Sequence, residues 1–98
     1  MVNTEKNLIG FVHNPKVPGA LKLIKSLITK LNLTNTWVSS AGEIQEFENE
    51  LSNTHSVVIV GGDGTILRAI RVLNKFNVPV IGIKMGKIGF MAELTPEN

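Results

Sequence analysis

The chain contains 98 residues and no cysteine, and its ten Lys and Arg residues exceed its eight Asp and Glu residues to give a formal net charge of +2. This length suits a single domain that buries roughly 60 to 70% of its unfolded surface. The absence of cysteine excludes disulfides, thiolate catalysis and cysteine-ligated metal sites. No apolar run reaches about 18 residues, and residues 1–6 do not resemble a secretory signal, so we expect a cytoplasmic protein that does not enter membranes. The lysines are dispersed without an aromatic ladder, which argues against nucleic-acid binding.

The first predicted strand occupies residues 8–12, and the first predicted helix begins just after Pro18-Gly19. Residues 8–12 form a nearly continuous apolar run that ends at His13-Asn14-Pro15, as expected for a strand covered on both faces. Apolar residues then recur at helical spacing, with lysines mostly outside the stripe. The predicted inward stripe of this helix consists of Leu21, Ile24, Ile28 and Leu31, with Ala20 and Leu27 alongside.

A weaker strand and a second helix follow in the chain. Residues 36–38 favour a short strand, and residues 43–51 predict a helix. Glu46 and Glu50 lie four residues apart on its polar face, where we interpret them as a solvated surface rather than as a site. The predicted inward face of this helix consists of Ile44, Phe47 and Leu51.

A glycine turn at residues 61–65 separates the third strand from the third helix. Residues 57–60 predict a buried strand, and residues 79–83 predict a fourth strand. An Asp-Gly pair between apolar runs is also a hairpin signal. Ile66, Ile70 and Leu73 nevertheless recur at helical spacing, which favours a helix over residues 65–76 rather than a returning strand.

The alternation of strands and helices along the chain predicts a Rossmann-like three-layer α/β domain. We expect a parallel sheet of about four strands with right-handed crossovers and helices on both faces. In such a sheet, the loops that follow the strands lie at one edge, where ligands bind in open α/β folds. These loops comprise residues 13–16, 39–42, 61–65 and 84–89.

The glycine turn has the composition of a phosphate site. Gly61, Gly62 and Gly64 lack a Cβ atom, so they could adopt positive φ and allow a ligand close to the backbone, while the helix that follows offers unpaired N–H groups. Asp63 does not suit a simple anion site, because a carboxylate repels phosphate unless a metal ion or a hydroxyl proton lies between them. Turn chemistry alone also permits a structural turn without a ligand.

The remaining motifs narrow the choice of function. The chain contains no G-x-x-x-x-G-K-[ST] loop and no G-x-G-x-x-G at its first strand, which argues against P-loop nucleotidases and standard dinucleotide-binding dehydrogenases. His13 and His55 have no partners at metal-ligand spacing, so we expect loop histidines and no protein metal site. A second glycine segment at residues 82–90 precedes the apolar residues Phe90, Met91 and Leu94, which need a partner surface.

Three segments together resemble the amino-terminal domain of the NAD kinase family. They are residues 9–15 (IGFVHNP), residues 61–69 (GGDGTILRA) and residues 82–94 (GIKMGKIGFMAEL). The glycine-aspartate-glycine motif alone is shared with diacylglycerol and sphingosine kinases and, more loosely, with phosphofructokinases. The residues after the motif and the second glycine segment are more similar to NAD kinases. Lys84 departs from the related bacterial pattern, which often has asparagine at this position.

The resemblance implies transfer of a phosphoryl group from ATP or polyphosphate to the adenosine ribose 2′-hydroxyl of NAD, which gives NADP. It implies that Asp63 accepts the hydroxyl proton or orients the hydroxyl, and that Asp63 and Gly64 contact NAD. Arg68 would lie nearby, Leu67 and Phe90 would form apolar walls for the adenine, and magnesium would accompany the donor. Gly61, Gly62 and Thr65 complete the expected nucleotide-binding turn.

The resemblance also implies that residues 1–98 form an amino-terminal nucleotide-binding domain, and that a carboxyl-terminal β-rich domain is absent from this chain. We therefore expect the isolated chain to have little activity and the full-length enzyme to be a homo-oligomer. Two alternatives remain at this point: a nucleotide-binding module without catalysis, and a fragment of a lipid kinase that acts on diacylglycerol or sphingosine.

Overall fold

The computed structural model describes residues 7–85 and, for the backbone alone, residues 90–95. The strands are β1 (Leu8–His13), β2 (Thr36–Ser40), β3 (Thr54–Gly61), β4 (Val80–Met85) and β5 (Phe90–Thr95). The α-helices are α1 (Ala20–Lys30), α2 (Glu48–Leu51) and α3 (Asp63–Leu73), and 3₁₀ helices cover Ala41–Phe47 and Asn74–Phe76.

The described strands form one sheet in the order β2-β1-β3-β4-β5. The first four strands are parallel, which confirms the predicted α/β architecture. β5 was not predicted from the sequence; it pairs antiparallel with β4 and begins where Phe90 lies opposite Met85. An antiparallel strand at the edge of a parallel sheet is common in α/β folds. The side chains of Phe90, Met91 and Leu94 lie outside the described residues.

Helices cover both faces of the sheet, as predicted. Phe11 and Val60 contribute to the apolar cluster beneath α1, whereas Val12 and Ile59 contribute to the cluster beneath α3 and the 3₁₀ helix Ala41–Phe47. Successive residues of one strand therefore face opposite layers, as the alternation of side chains along a strand requires. The sheet is the middle of three layers.

The predicted inward stripe of α1 is wrong at its two ends. Ala20 and Ile24 are fully buried, but Leu21 is 38% exposed and Leu31 is 62% exposed. The helix begins at Ala20 and ends at Lys30, so Leu31 follows its last helical residue. The stripe is consequently centred on Ala20 and Ile24 rather than on Leu21.

The second predicted helix is divided in two. A 3₁₀ helix spans Ala41–Phe47 and is followed by the single α-helical turn of α2. Ile44 of the 3₁₀ helix and Leu51 of α2 are buried as predicted. Phe47 is partly buried and stacks on Trp37 of β2, with ring centroids 4.9 Å apart.

Trp37 of β2 contacts residues of β1 and β3. Its partner across the β1–β2 pairing is Gly10, and a Cβ atom at Gly10 would overlap the indole ring. The indole Nε1 donates a 2.9 Å hydrogen bond to the hydroxyl of Thr54 at the start of β3. The absence of a side chain at Gly10 therefore leaves room for the Trp37 indole against β1.

Candidate functional site

The loops after β1, β2 and β3 converge on a cleft of about 600 Å³ at the carboxyl edge of the sheet. This confirms the predicted position of three of the four loops. The fourth loop extends into residues 86–89, which lie outside the described part of the chain. The cleft is lined by Asn14, Pro15, Lys16, Val17, Ser40, Ala41, Gly42, Gly62, Gly64, Thr65 and Arg68.

The glycine turn joins β3 directly to α3. β3 ends at Gly61, Gly62 caps the helix in an extended conformation, and α3 begins at Asp63, two residues earlier than predicted. The first backbone hydrogen bond of the helix runs from the amide of Ile66 to the carbonyl of Gly62. The amides of residues 63–65 therefore lack an acceptor within the helix, and the positive end of the helix dipole lies at the cleft.

The glycines of this turn matter because they lack a side chain, and not because they adopt positive φ. Gly19 has the only positive φ among the described glycines, so Gly61, Gly62 and Gly64 do not use the positive φ that glycine permits. A Cβ atom at Gly61 would lie 3.0 Å from the Thr65 side chain, whereas Gly62 and Gly64 face open space. Bare backbone consequently faces the cleft at Gly62 and Gly64.

Asn14 is a residue of the site that the sequence analysis did not single out. Its amide Nδ2 donates a 3.1 Å hydrogen bond to the Thr65 hydroxyl, and its Oδ1 accepts a 2.9 Å hydrogen bond from the Lys16 amide. The second bond closes an Asx turn, a structure that an asparagine at the end of a strand favours. The first bond joins the β1 loop to α3, and the sequence gives no local signal for it.

Asp63 lies at the first position of α3 but not among the residues that line the cleft. Its side chain is 82% exposed, and its Oδ1 lies 3.1 Å from Nζ of Lys84 in β4. The two residues meet because Gly61 pairs with Lys84 across the β3–β4 ladder. A cation therefore accompanies the single carboxylate of the glycine turn.

Of the other predicted site residues, some line the cleft and others do not. Thr65 is 8% exposed and lines the cleft together with Arg68, whereas Leu67 is 52% exposed and does not line it. Gly61 is buried beneath the turn. Phe90 begins β5, and its side chain lies outside the described residues.

His13 lies beside the cleft at the end of β1, without lining it. Its Nδ1 is buried and has no hydrogen-bond partner among the described residues. Burial lowers the pKa of His13 below its ordinary value of 6.5, and the nearby carboxylate of Glu43 opposes this shift. Within residues 7–85, no cluster of three or more potential metal ligands is present. No helix in the described part of the chain is long and apolar enough to cross a membrane.

Comparison of the sequence with known protein families identifies the domain that carries this glycine turn. The sequence pattern that defines the ATP-NAD kinase N-terminal domain matches residues 33–98. The chain belongs to this family. The matched region of the ATP-NAD kinase domain includes Asp63, Arg68 and Lys84, but not Asn14.

Relatives of this ATP-NAD kinase domain include proteins described as NAD kinases. A protein of Dehalococcoides mccartyi strain CBDB1 is 35% identical over 92 residues, which cover 92% of this chain and 32% of the relative. A protein of Yersinia pestis is 30% identical over 115 residues, which cover 100% of this chain and 37% of the relative. One of Clostridium tetani is 45% identical over 51 residues, or 52% of this chain and 19% of the relative.

The chain spans about a third of the length of the Dehalococcoides and Yersinia relatives. No solved structure matches the chain.

Proposed function

We propose that this chain is the nucleotide-binding part of an NAD kinase, which transfers a phosphoryl group from ATP or polyphosphate to the adenosine ribose 2′-hydroxyl of NAD. The observation that carries the proposal is the exposed first turn of α3, whose bare glycines face a cleft at the carboxyl edge of the sheet. Two relatives that are described as NAD kinases and match more than nine-tenths of the chain support it.

The cleft has the groups that a donor polyphosphate requires. Unpaired amides of the first turn of α3 and the hydroxyl of Thr65 can donate hydrogen bonds, and Lys16 and Arg68 supply positive charge at its rim. Its volume of about 600 Å³ falls within the ~300 to 1,000 Å³ typical of small-molecule sites. We therefore assign the cleft to the phosphates of the donor, and Gly61 beneath it to the packing of the turn.

Asp63 would contact the NAD ribose on the outer side of the same turn, and Gly64 would contact NAD from the side of the turn that lines the cleft. A ribose hydroxyl is a far weaker acid than a carboxylic acid, so removal of its proton before transfer would be very costly. Asp63 instead holds the hydroxyl in line and accepts its proton late in a loose transition state. The bond between the 2′-oxygen and the terminal phosphorus forms, the bond from that phosphorus to the donor's bridging oxygen breaks, and the shortened donor leaves.

Magnesium would enter with the donor rather than in a site built by the described residues. Asp63 is the acidic residue of the glycine turn, it is paired with Lys84, and the described residues contain no cluster of potential ligands. This part of the chain does not fit a metal held by protein alone. Magnesium commonly keeps several waters and binds substrate phosphates, and its chemistry would be to neutralise the charge of those phosphates.

We further propose that residues 1–98 form the amino-terminal α/β domain of a longer, cytoplasmic, homo-oligomeric enzyme. The chain spans about a third of the Dehalococcoides and Yersinia relatives, which supports a second domain that would complete the NAD pocket. Leu67, which is 52% exposed on the outer face of α3, and Phe90 would then line that pocket against the adenine.

The test joins residues 1–98 to the remaining two-thirds of the Dehalococcoides relative in place of the third that matches this chain. We expect the fusion protein to form NADP from NAD, with ATP or polyphosphate as the donor, and we expect Asp63→Asn in the same fusion to remove most of this activity. A folded fusion that binds ATP and NAD without turnover would instead support a non-catalytic nucleotide-binding module. Phosphorylation of diacylglycerol or sphingosine would support a lipid kinase.

A further inference from the structure

The position of Asp63 creates an electrostatic conflict within the proposed phosphate site. The residues on either side of it, Gly62 and Gly64, both line the cleft, so the carboxylate lies within one residue of the backbone that would face the donor phosphates. Because like charges repel each other, a carboxylate next to this backbone would weaken the binding of the donor phosphates. A site that binds a polyphosphate beside an acid needs a compensating cation.

Lys84 is placed to supply that charge. Its Nζ lies 3.1 Å from Oδ1 of Asp63, and its side chain is 30% exposed against 82% for Asp63. Lys84 extends from β4, which is held to β3 by the parallel ladder, so its backbone position is set by the sheet and not by a loop. The lysine is the more confined partner, and the carboxylate is the partner that can turn.

We infer that Lys84 is a positioning residue for Asp63, and that its charge allows the first turn of α3 to bind a polyphosphate in spite of the acid. This inference rests on the proposed function. In the absence of an acceptor, Lys84 holds the Asp63 carboxylate on the β4 side of the turn and cancels its charge towards the cleft. When an acceptor hydroxyl is present, the exposed carboxylate turns to accept its hydrogen bond.

The inference predicts coupling between the two residues in nucleotide binding. ATP is titrated into the 98-residue chain without magnesium at low ionic strength, and its dissociation constant is measured by calorimetry. We expect Lys84→Gln to weaken ATP binding about five-fold, because one partly exposed charge is removed next to a polyanion, and we expect added salt to reduce the difference. Lys84→Arg should retain the wild-type affinity.

The matched control removes the same charge away from the cleft. Lys75→Gln changes an exposed lysine in the 3₁₀ helix Asn74–Phe76, which follows α3. Lys75 lines a separate groove, so this variant should leave ATP affinity unchanged. In an Asp63→Asn background, Lys84→Gln should have little effect, since the repulsion that Lys84 compensates is no longer present. Far-ultraviolet circular dichroism of each variant verifies folding, which we expect to persist because the ion pair lies at the surface.

Three outcomes would overturn the inference in distinguishable ways. If wild-type chain binds ATP and Lys84→Gln behaves like Lys75→Gln, Lys84 has no role in the site and the proposed function stands. If Lys84→Gln causes the same loss in both backgrounds, Lys84 acts on the phosphate itself and not through Asp63. If wild-type chain does not bind ATP at all, the phosphate site fails and takes the inference with it.

Discussion

The side-chain amide of Asn14 donates a 3.1 Å hydrogen bond to the hydroxyl oxygen of Thr65, 51 residues further along the chain. The bond joins two walls of the cleft, the loop after β1 and the first turn of α3. Because the oxygen of Thr65 accepts this bond, the hydroxyl hydrogen remains available to a ligand. Asn14 thereby leaves the Thr65 hydroxyl able to donate a hydrogen bond into the cleft.

Asn14→Asp should weaken ATP binding by about ten-fold. The new carboxylate still accepts the Lys16 amide, but it also accepts the hydroxyl hydrogen of Thr65 and adds negative charge to the cleft. Calorimetric titration of ATP measures the change. Asn49→Asp, at an exposed position in α2 away from the cleft, is the control for the added charge. Equal affinities in the two variants would remove Asn14 from the site.

Asp63→Asn should reduce the rate of NADP formation by roughly 10² to 10⁴-fold in the fusion protein, since an amide cannot accept the hydroxyl proton. The fold should be unaffected, because the side chain is 82% exposed. Steady-state kinetics and a thermal melt give the two readouts. Near-normal turnover in a folded variant would exclude Asp63 from the reaction.

Gly10→Ala should lower the free energy of unfolding by about 1 to 3 kcal/mol, because the new methyl group would overlap the buried indole of Trp37. Gly42→Ala is the matched control, since a Cβ atom there meets no atom within 4 Å. Urea denaturation of both variants compares them directly. A Gly10 variant as stable as the Gly42 variant would show that the sheet accommodates the methyl group.

Acid should destabilise the protein through His13. Burial lowers the pKa of His13 in the folded chain, so the unfolded chain binds its proton first as the pH falls below 6.5. The free energy of unfolding should therefore decrease from about pH 6.5 downwards until the folded chain is also protonated. Denaturation of wild type and His13→Asn between pH 5 and 7.5 tests this, with a shallower dependence expected in the variant. His55→Gln, at an exposed position, should keep the wild-type profile.

The sequence by itself determined the α/β class, the position of the glycine turn and the buried face of α3. Each of these depends on local pattern: Ile66 and Leu73 are buried because they recur at the helical period, and residues 57–60 form a strand because they are apolar without interruption. Asp63 stands out in the sequence as the single acid in a run of glycines, and its role in the reaction stays a prediction.

Only the tertiary structure decided which residues meet at the site. The pairing of Lys84 with Asp63 depends on the register of β4 against β3, and the Asn14–Thr65 bond depends on β1 lying next to β3. The start of α3 at Asp63 likewise follows from how the end of the helix is capped, and β5 follows from its antiparallel pairing with β4. Periodicity sets which face of an element is buried, but strand order and register set its neighbours, and those arise only when distant segments pack together.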